Sequence, residues 1–164
     1  VRVEVLRKVL LCVVLAAGLP AAAAESPGDY GANLSKIYFA HQRLLALREA
    51  CDQVLPAQAK ANEKAYAVWQ GRHKALLNEL DARLTLMIRG ASKDEKEYMR
   101  NVGKYEGSIL EYRTENREQI LAQPRDGIEQ VCSDFRNYLT GSGSDFHKDY
   151  ADELRELRKR KLPK

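Results

Sequence analysis

The chain has 164 residues, with 27 Lys or Arg against 23 Asp or Glu and a formal net charge of +4. Hydrophobic residues make up 45% and charged residues 30%, which excludes disorder as the main state and favours a single domain. Three cysteines are too few for a disulfide-dense mini-scaffold, and the polar sequence beyond the N-terminal stretch excludes a multi-span membrane protein.

Residues 1–24 read as a secretory signal. Arg2, Arg7 and Lys8 form a positive start, Val9 to Leu19 an apolar run, and Pro20 with Ala21 to Ala24 a small-residue cleavage site. Cleavage is expected after Ala24. The apolar stretch is shorter than the ~20 residues that span hydrocarbon, so a cleaved signal is preferred to an anchor. Val1 fits a start codon other than ATG and hence a bacterial source, so the expected location is the periplasm or the medium. Removing 1–24 leaves a net +2, made of +4 in residues 153–164 and −2 in residues 25–152. The basic balance therefore belongs to the tail and not to the body.

Export also frames the cysteines. Cys51 and Cys132 remain after cleavage, and an even pair in an oxidising compartment predicts one structural disulfide. A redox pair would sit close in sequence, as in C-x-x-C, and that motif is missing, as is the C-x-x-C-H of a c-type haem.

Residues 25–32, with Pro27, Gly28 and Gly31, read as a flexible start, followed by one domain over 33–162. Ile37, Ala40, Leu44, Leu47, Cys51 and Val54 then step by three and four, one apolar stripe of a helix that stops near Pro56. A second helix over 57–89 carries Ala61, Ala65, Val68, Leu76, Leu80, Leu84, Met87 and Ile88, with Trp69 beside the stripe and Gly90 as its C-terminal cap. Ser92 and Glu95 match a capping box that opens a third helix, which runs to Gln123 with Tyr98, Val102, Tyr105, Ile109 and Tyr112 on one face. A shorter fourth segment spans 125–140, with Ile128, Val131, Cys132, Phe135 and Leu139 as its buried set. Gly141-Ser142-Gly143-Ser144 breaks the chain, and a last segment over 145–161 holds Phe146, Tyr150, Leu154 and Leu157 on one face. No segment alternates like a strand. The expected fold is all-α: an antiparallel up-down bundle of four arms, the last broken near 141–144 into two helices, with one disulfide.

Chemistry-bearing patterns are sparse. His41, His73 and His147 fall on three segments, and His41 and His73 lie off the tightest stripes, expected in solvent or at seams. Neither H-E-x-x-H nor Glu-x-x-His occurs. There is no G-x-S-x-G, and Gly141-Ser142-Gly143 does not follow a strand, so it reads as a hinge and not a phosphate cradle. The expectation is a protein without enzymatic activity, metal or cofactor. Tyr98, Tyr105 and Tyr112 recur every seven residues, and Tyr66 and Trp69 lie on the preceding helix. They either fill the core or wall a groove that takes a peptide or an apolar ligand. The basic tail of Arg155, Arg158, Lys159, Arg160 and Lys161, with Lys164 beyond, is either a solvated helix end or a weak contact for anionic envelope surfaces; nucleic acid does not fit an exported chain. These features predict non-catalytic binding of an envelope protein or peptide, with a small-ligand or metal-binding bundle as the alternative.

Overall fold

The structure, a computed structural model, describes residues 27–162. The expected signal segment, residues 1–24, lies outside the described residues. Six α-helices follow one another: α1 (Pro27–Val54), α2 (Ala59–Gly90), α3 (Glu95–Leu121), α4 (Arg125–Thr140), α5 (Phe146–Asp149) and α6 (Ala151–Lys159). Short 3-10 turns at Pro56–Gln58 and Ser142–Ser144 join α1 to α2 and α4 to α5, and there is no strand among the described residues. No described helix is long and apolar enough to cross a membrane.

α1 is the central helix and touches α2, α3, α4 and α6. Its stripe of Ile37, Ala40, Leu44, Cys51 and Val54 is buried as expected, and Leu34, Ala46 and Ala50 are buried too. A helix flanked by several others needs apolar or small residues on more than one side. It begins at Pro27, so the expected irregular start is helical from that residue on. Proline suits a first helical turn, where its missing N–H would find no partner in the helix anyway.

The buried face of α2 is rotated from the expected stripe. Asn62, Tyr66, Trp69, His73, Leu76, Leu80, Arg83 and Leu84 are buried, whereas Val68 is 65% exposed. The aromatic rings bury more area than a valine can, and tertiary hydrogen bonds make the polar members tolerable in the core. Gly90 closes α2 as its last helical residue, and Ala91 takes the cap position.

The cap of α3 also lies two residues later than expected. Asp94, not Ser92, accepts from the Glu97 N–H at 2.8 Å, and the Glu97 carboxylate accepts from the Lys93 N–H at 2.9 Å. Asp caps as well as Ser, and it leaves the Ser92 hydroxyl to donate to the Ile88 carbonyl at 2.7 Å. No residue of α3 is fully buried. Its apolar face rests mainly on α1, through Tyr38 against Tyr105 (centroids 6.0 Å apart) and Phe39 against Tyr112 (4.5 Å). Arg113 of α3 also pairs with Glu49 of α1.

In α4, Ile128, Cys132, Phe135 and Leu139 are buried, but Val131 is 47% exposed. The four buried residues step by four, three and four along one face, and Val131 falls beside that line. The expected single last segment is two helices that meet at Tyr150 (φ −120°, ψ 29°). Phe146 at the start of α5 packs into the core against Trp69, while Leu154 and Leu157 of α6 are buried from a separate helix. Cys51 and Cys132 form a disulfide, with Cα atoms 5.0 Å apart inside the same hydrophobic core.

Candidate functional site

The five aromatic residues singled out in the sequence divide between two environments. Trp69 is fully buried and Tyr66 nearly so. The Trp69 indole N–H donates to the Ser144 carbonyl at 2.8 Å, which ties α2 to the turn after α4. His41 stacks on the indole at 5.7 Å and His73 at 4.5 Å, and Phe146 meets it edge-on at 5.1 Å. Tyr66 lies 2.9 Å from His41 Nε2 through its hydroxyl, under the Arg48 guanidinium at 4.7 Å. Tyr66 and Trp69 therefore build the core and do not line an open groove.

His73 is 1% exposed, contrary to the expected solvated or seam position. Both its nitrogens are engaged. Nδ1 donates to the Trp69 carbonyl at 3.0 Å, and Nε2 accepts from the Phe146 N–H at 3.2 Å, an arrangement that specifies the neutral Nδ1–H tautomer. A satisfied imidazole can be buried at small cost, which hydropathy along the chain does not reveal. His41 is half-buried, and burial first, then the charge of Arg113, pushes its pKa down to about 4. His147 is exposed, though its ring stacks 5.6 Å from that of His73. No group of three or more His, Cys, Asp or Glu side chains converges to hold a metal among the described residues.

Tyr98 and Tyr105 face the second environment, a cleft along the seam between α2 and α3. Because α3 lies on α1 and touches α2 only lightly, that seam stays open. A depression of about 320 Å³ is lined by Tyr38 of α1, by Asp81, Leu84, Thr85 and Ile88 of α2, and by Tyr98, Val102, Tyr105, Glu106 and Ile109 of α3. A shallower one of about 470 Å³ adjoins it, lined by Met87, Ile88, Ala91, Asn101, Lys104, Tyr105 and Ser108. Ile88 and Tyr105 line both and form the ridge between them. The Tyr105 hydroxyl oxygen is buried and makes no hydrogen bond among the described residues. Burial, with Tyr38 adding to it, pushes its pKa up to about 12. Tyr112 lies outside the cleft, against Phe39.

Tyr38, Asp81 and Glu106 are cleft residues that the sequence did not single out. They lie on three helices and off the apolar stripes, so no local pattern joins them. Burial raises the Asp81 pKa. The Tyr38 hydroxyl is raised by burial first, then by the charges of Asp81 and Glu106, so both carboxylates act on one ring.

A third depression of about 230 Å³, between α1, α4 and α5, carries Arg43 and Asp149 around Leu44, Leu47, Tyr138 and Phe146. The basic tail is mostly paired, partly with the body and partly within α6. Arg158 donates to Glu79 at 2.8 Å, Arg155 pairs with Asp152 at 2.8 Å and Lys159 with Glu156 at 2.5 Å. Arg160 places its guanidinium 4.7 Å from the Tyr30 ring centroid, and its carbonyl accepts from Arg83 at 2.9 Å. Lys161 is exposed, and Lys164 lies outside the described residues. No protein-family model, no curated protein and no solved structure matches the chain.

Proposed function

We propose that the protein is an exported, non-catalytic binding protein of the bacterial envelope, and that its α2–α3 cleft takes a segment of a partner protein or peptide. The observation that carries this reading is the pair of adjoining depressions around Tyr105, open to solvent and lined by aliphatic, tyrosine and polar side chains. Grooves of that composition take apolar anchors from a partner strand or helix, with polar rim groups setting orientation. Export rests on the positive start, apolar run and small-residue site of residues 1–24.

The frame for the cleft is the four-arm antiparallel bundle. Contacts from α1 to α2 run in opposite senses, Asp52 with Asn62 and then His41 with Tyr66. Those from α1 to α3 run in the same sense, Tyr38 with Tyr105 and then Glu49 with Arg113. Cys51 with Cys132 and Lys36 with Glu153 return along α4 and α6. Short connections between long helices favour this alternation.

The test is site-specific photocrosslinking in intact cells. A benzophenone side chain at Thr85 or Ser108, both cleft-lining, is expected to give one saturable adduct. The same group at Ser133, exposed on α4, is expected to give none. Equal labelling at all three positions, or no adduct at the cleft, overturns the reading. N-terminal sequencing of the periplasmic fraction tests export, with Glu25 as the expected first residue.

A further inference from the structure

We propose that the 320 Å³ part of this cleft binds an organic cation, an alkylammonium or quaternary ammonium head, with Tyr38, Tyr98 and Tyr105 as its aromatic wall and Asp81 and Glu106 as its counter-charges. The inference deepens the binding reading above and rests on it for the location of the site.

The charge of the lining carries the argument. The 320 Å³ depression contains two carboxylates and no Lys or Arg, whereas the adjoining depression includes Lys104 and the one between α1, α4 and α5 sets Arg43 against Asp149. Neither Asp81 nor Glu106 has an ion pair or a side-chain hydrogen bond among the described residues. Both carboxylates line the same depression as the Tyr38 ring. Asp81 and Glu106 are exposed and unpaired beside an apolar floor of Leu84, Ile88, Val102 and Ile109, so the lining carries negative charge with no counter-charge of its own. A bound cation supplies it.

The tyrosines favour an organic head over a metal. Aromatic faces attract cations through the ring quadrupole, and aromatic cages with a carboxylate are the recurrent solution for alkylated ammonium groups. Tyr38 and Tyr105 meet at 68°, which makes a corner and not a flat stack. One face of Tyr98 already carries a cation, the Arg89 guanidinium 3.5 Å from its ring centroid, which leaves Tyr38 and Tyr105 as the main wall. A hard metal ion would need six or more oxygen ligands, or several retained waters, and this lining offers two carboxylates among aliphatic walls. The source of the cation is either a free quaternary ammonium compound or a lysine side chain of a partner, since both present the same charge on an apolar stem.

The experiment is a titration of the mature chain, by calorimetry and by amide chemical-shift mapping, with choline and with Nα-acetyl-lysine methylamide. The neutral choline isostere 3,3-dimethylbutanol serves as control. Saturable binding of either cation is expected, with shifts confined to the α2–α3 cleft and the isostere weaker by about tenfold or more. Choline binding assigns a free quaternary ammonium ligand, and binding of the lysine amide alone assigns a partner's side chain. Asp81→Asn and Glu106→Gln, separately, are each expected to weaken binding about tenfold, and Glu111→Gln, outside the lining, to leave it unchanged. Circular dichroism establishes that each variant is folded. Tyr38→Leu is an independent variant that removes a ring and keeps both charges, and it too is expected to weaken binding. No binding of either cation, equal binding of the isostere, or undiminished affinity in these variants overturns the inference. A cleft that crosslinks a partner but binds neither cation leaves the protein-binding reading standing. Cation binding without a crosslinked partner does the reverse.

Discussion

His41 sits where α1 passes over the stacked rings of α2, and its chemistry makes the fold sensitive to acid. Burial is the largest cause that lowers its pKa to about 4, with Arg113 next. Protonation therefore opposes folding. The unfolded chain, where a histidine titrates near 6.5, binds the proton first. The stabilising term from His41 is complete above about pH 6.5 and is lost as pH falls from there to about 4, for a total of roughly 3 kcal/mol. Most carboxylates still carry their charge in the upper part of that window, so the effect is separable from general acid denaturation. The expected result is a fall in unfolding free energy between pH 6.5 and 4.5 that is much smaller in His41→Gln. Trp69 is the only tryptophan and lies between His41 and His73, so its fluorescence reads the transition at the affected site. Parallel pH profiles in the two proteins would sink the assignment.

Glu79 shows how an element is held. Its carboxylate accepts from Arg83 of the same helix and from Arg158 of α6, and Arg83 continues to the Arg160 carbonyl. Burial raises the Glu79 pKa, but the hydrogen bonds from Arg158 and Arg83 outweigh it and hold the group below its ordinary value. The Arg83 side chain is only 4% exposed, so removing the carboxylate leaves a buried cation without a counter-charge. Glu79→Gln is expected to cost about 2–3 kcal/mol and to speed amide exchange along residues 151–160. Arg158→Ala, at an exposed position, should cost at most about 1 kcal/mol. Equal costs in a denaturant titration would show that the pair does not anchor α6. Such anchors explain what the sequence could and could not tell. The α1 stripe and the α4 positions 128, 132, 135 and 139 were legible, because apolar side chains at helical spacing must find a core. The face of α2 was not, because Asn62, His73 and Arg83 look like solvent residues until their partners on other elements are known. The Trp69 and Tyr66 rings were visible as a cluster, but whether they filled a core or walled a groove depends on the path of Phe146 after the break at 141–144. The cleft was half legible: the seven-residue spacing of Tyr98 and Tyr105 marked one wall, while Tyr38, Asp81 and Glu106 came together only because α3 lies on α1 and leaves its flank toward α2 open.

At the scale of the whole molecule, one covalent link closes a loop across 81 positions of sequence and encloses all of α2 and α3. That loop holds the α2 and α3 walls of the cleft, the Tyr66, Trp69 and His73 rings, and the helix with no fully buried residue. α3 depends on a half-buried face against α1, so its own hydrophobic contribution is modest, and restricting the unfolded chain is an efficient way to keep it in place. Chain-entropy reasoning for a loop of this length gives about 4.5 kcal/mol, much of the stability of an ordinary small domain. The link also joins the last turn of α1 to α4, on which the Trp69–Ser144 contact and the buried Phe135 and Leu139 depend. Reduction is therefore expected to weaken both ends of the structure together. Urea unfolding of the oxidised chain, the dithiothreitol-treated chain and the Cys51→Ser, Cys132→Ser double variant should show a single transition in each, displaced downward by several kcal/mol in the latter two, with the slope changed because the reduced unfolded chain exposes more surface. A reduced protein as stable as the oxidised one would mean that packing alone holds α2 and α3, and that the bond between Cys51 and Cys132 follows folding without reinforcing it.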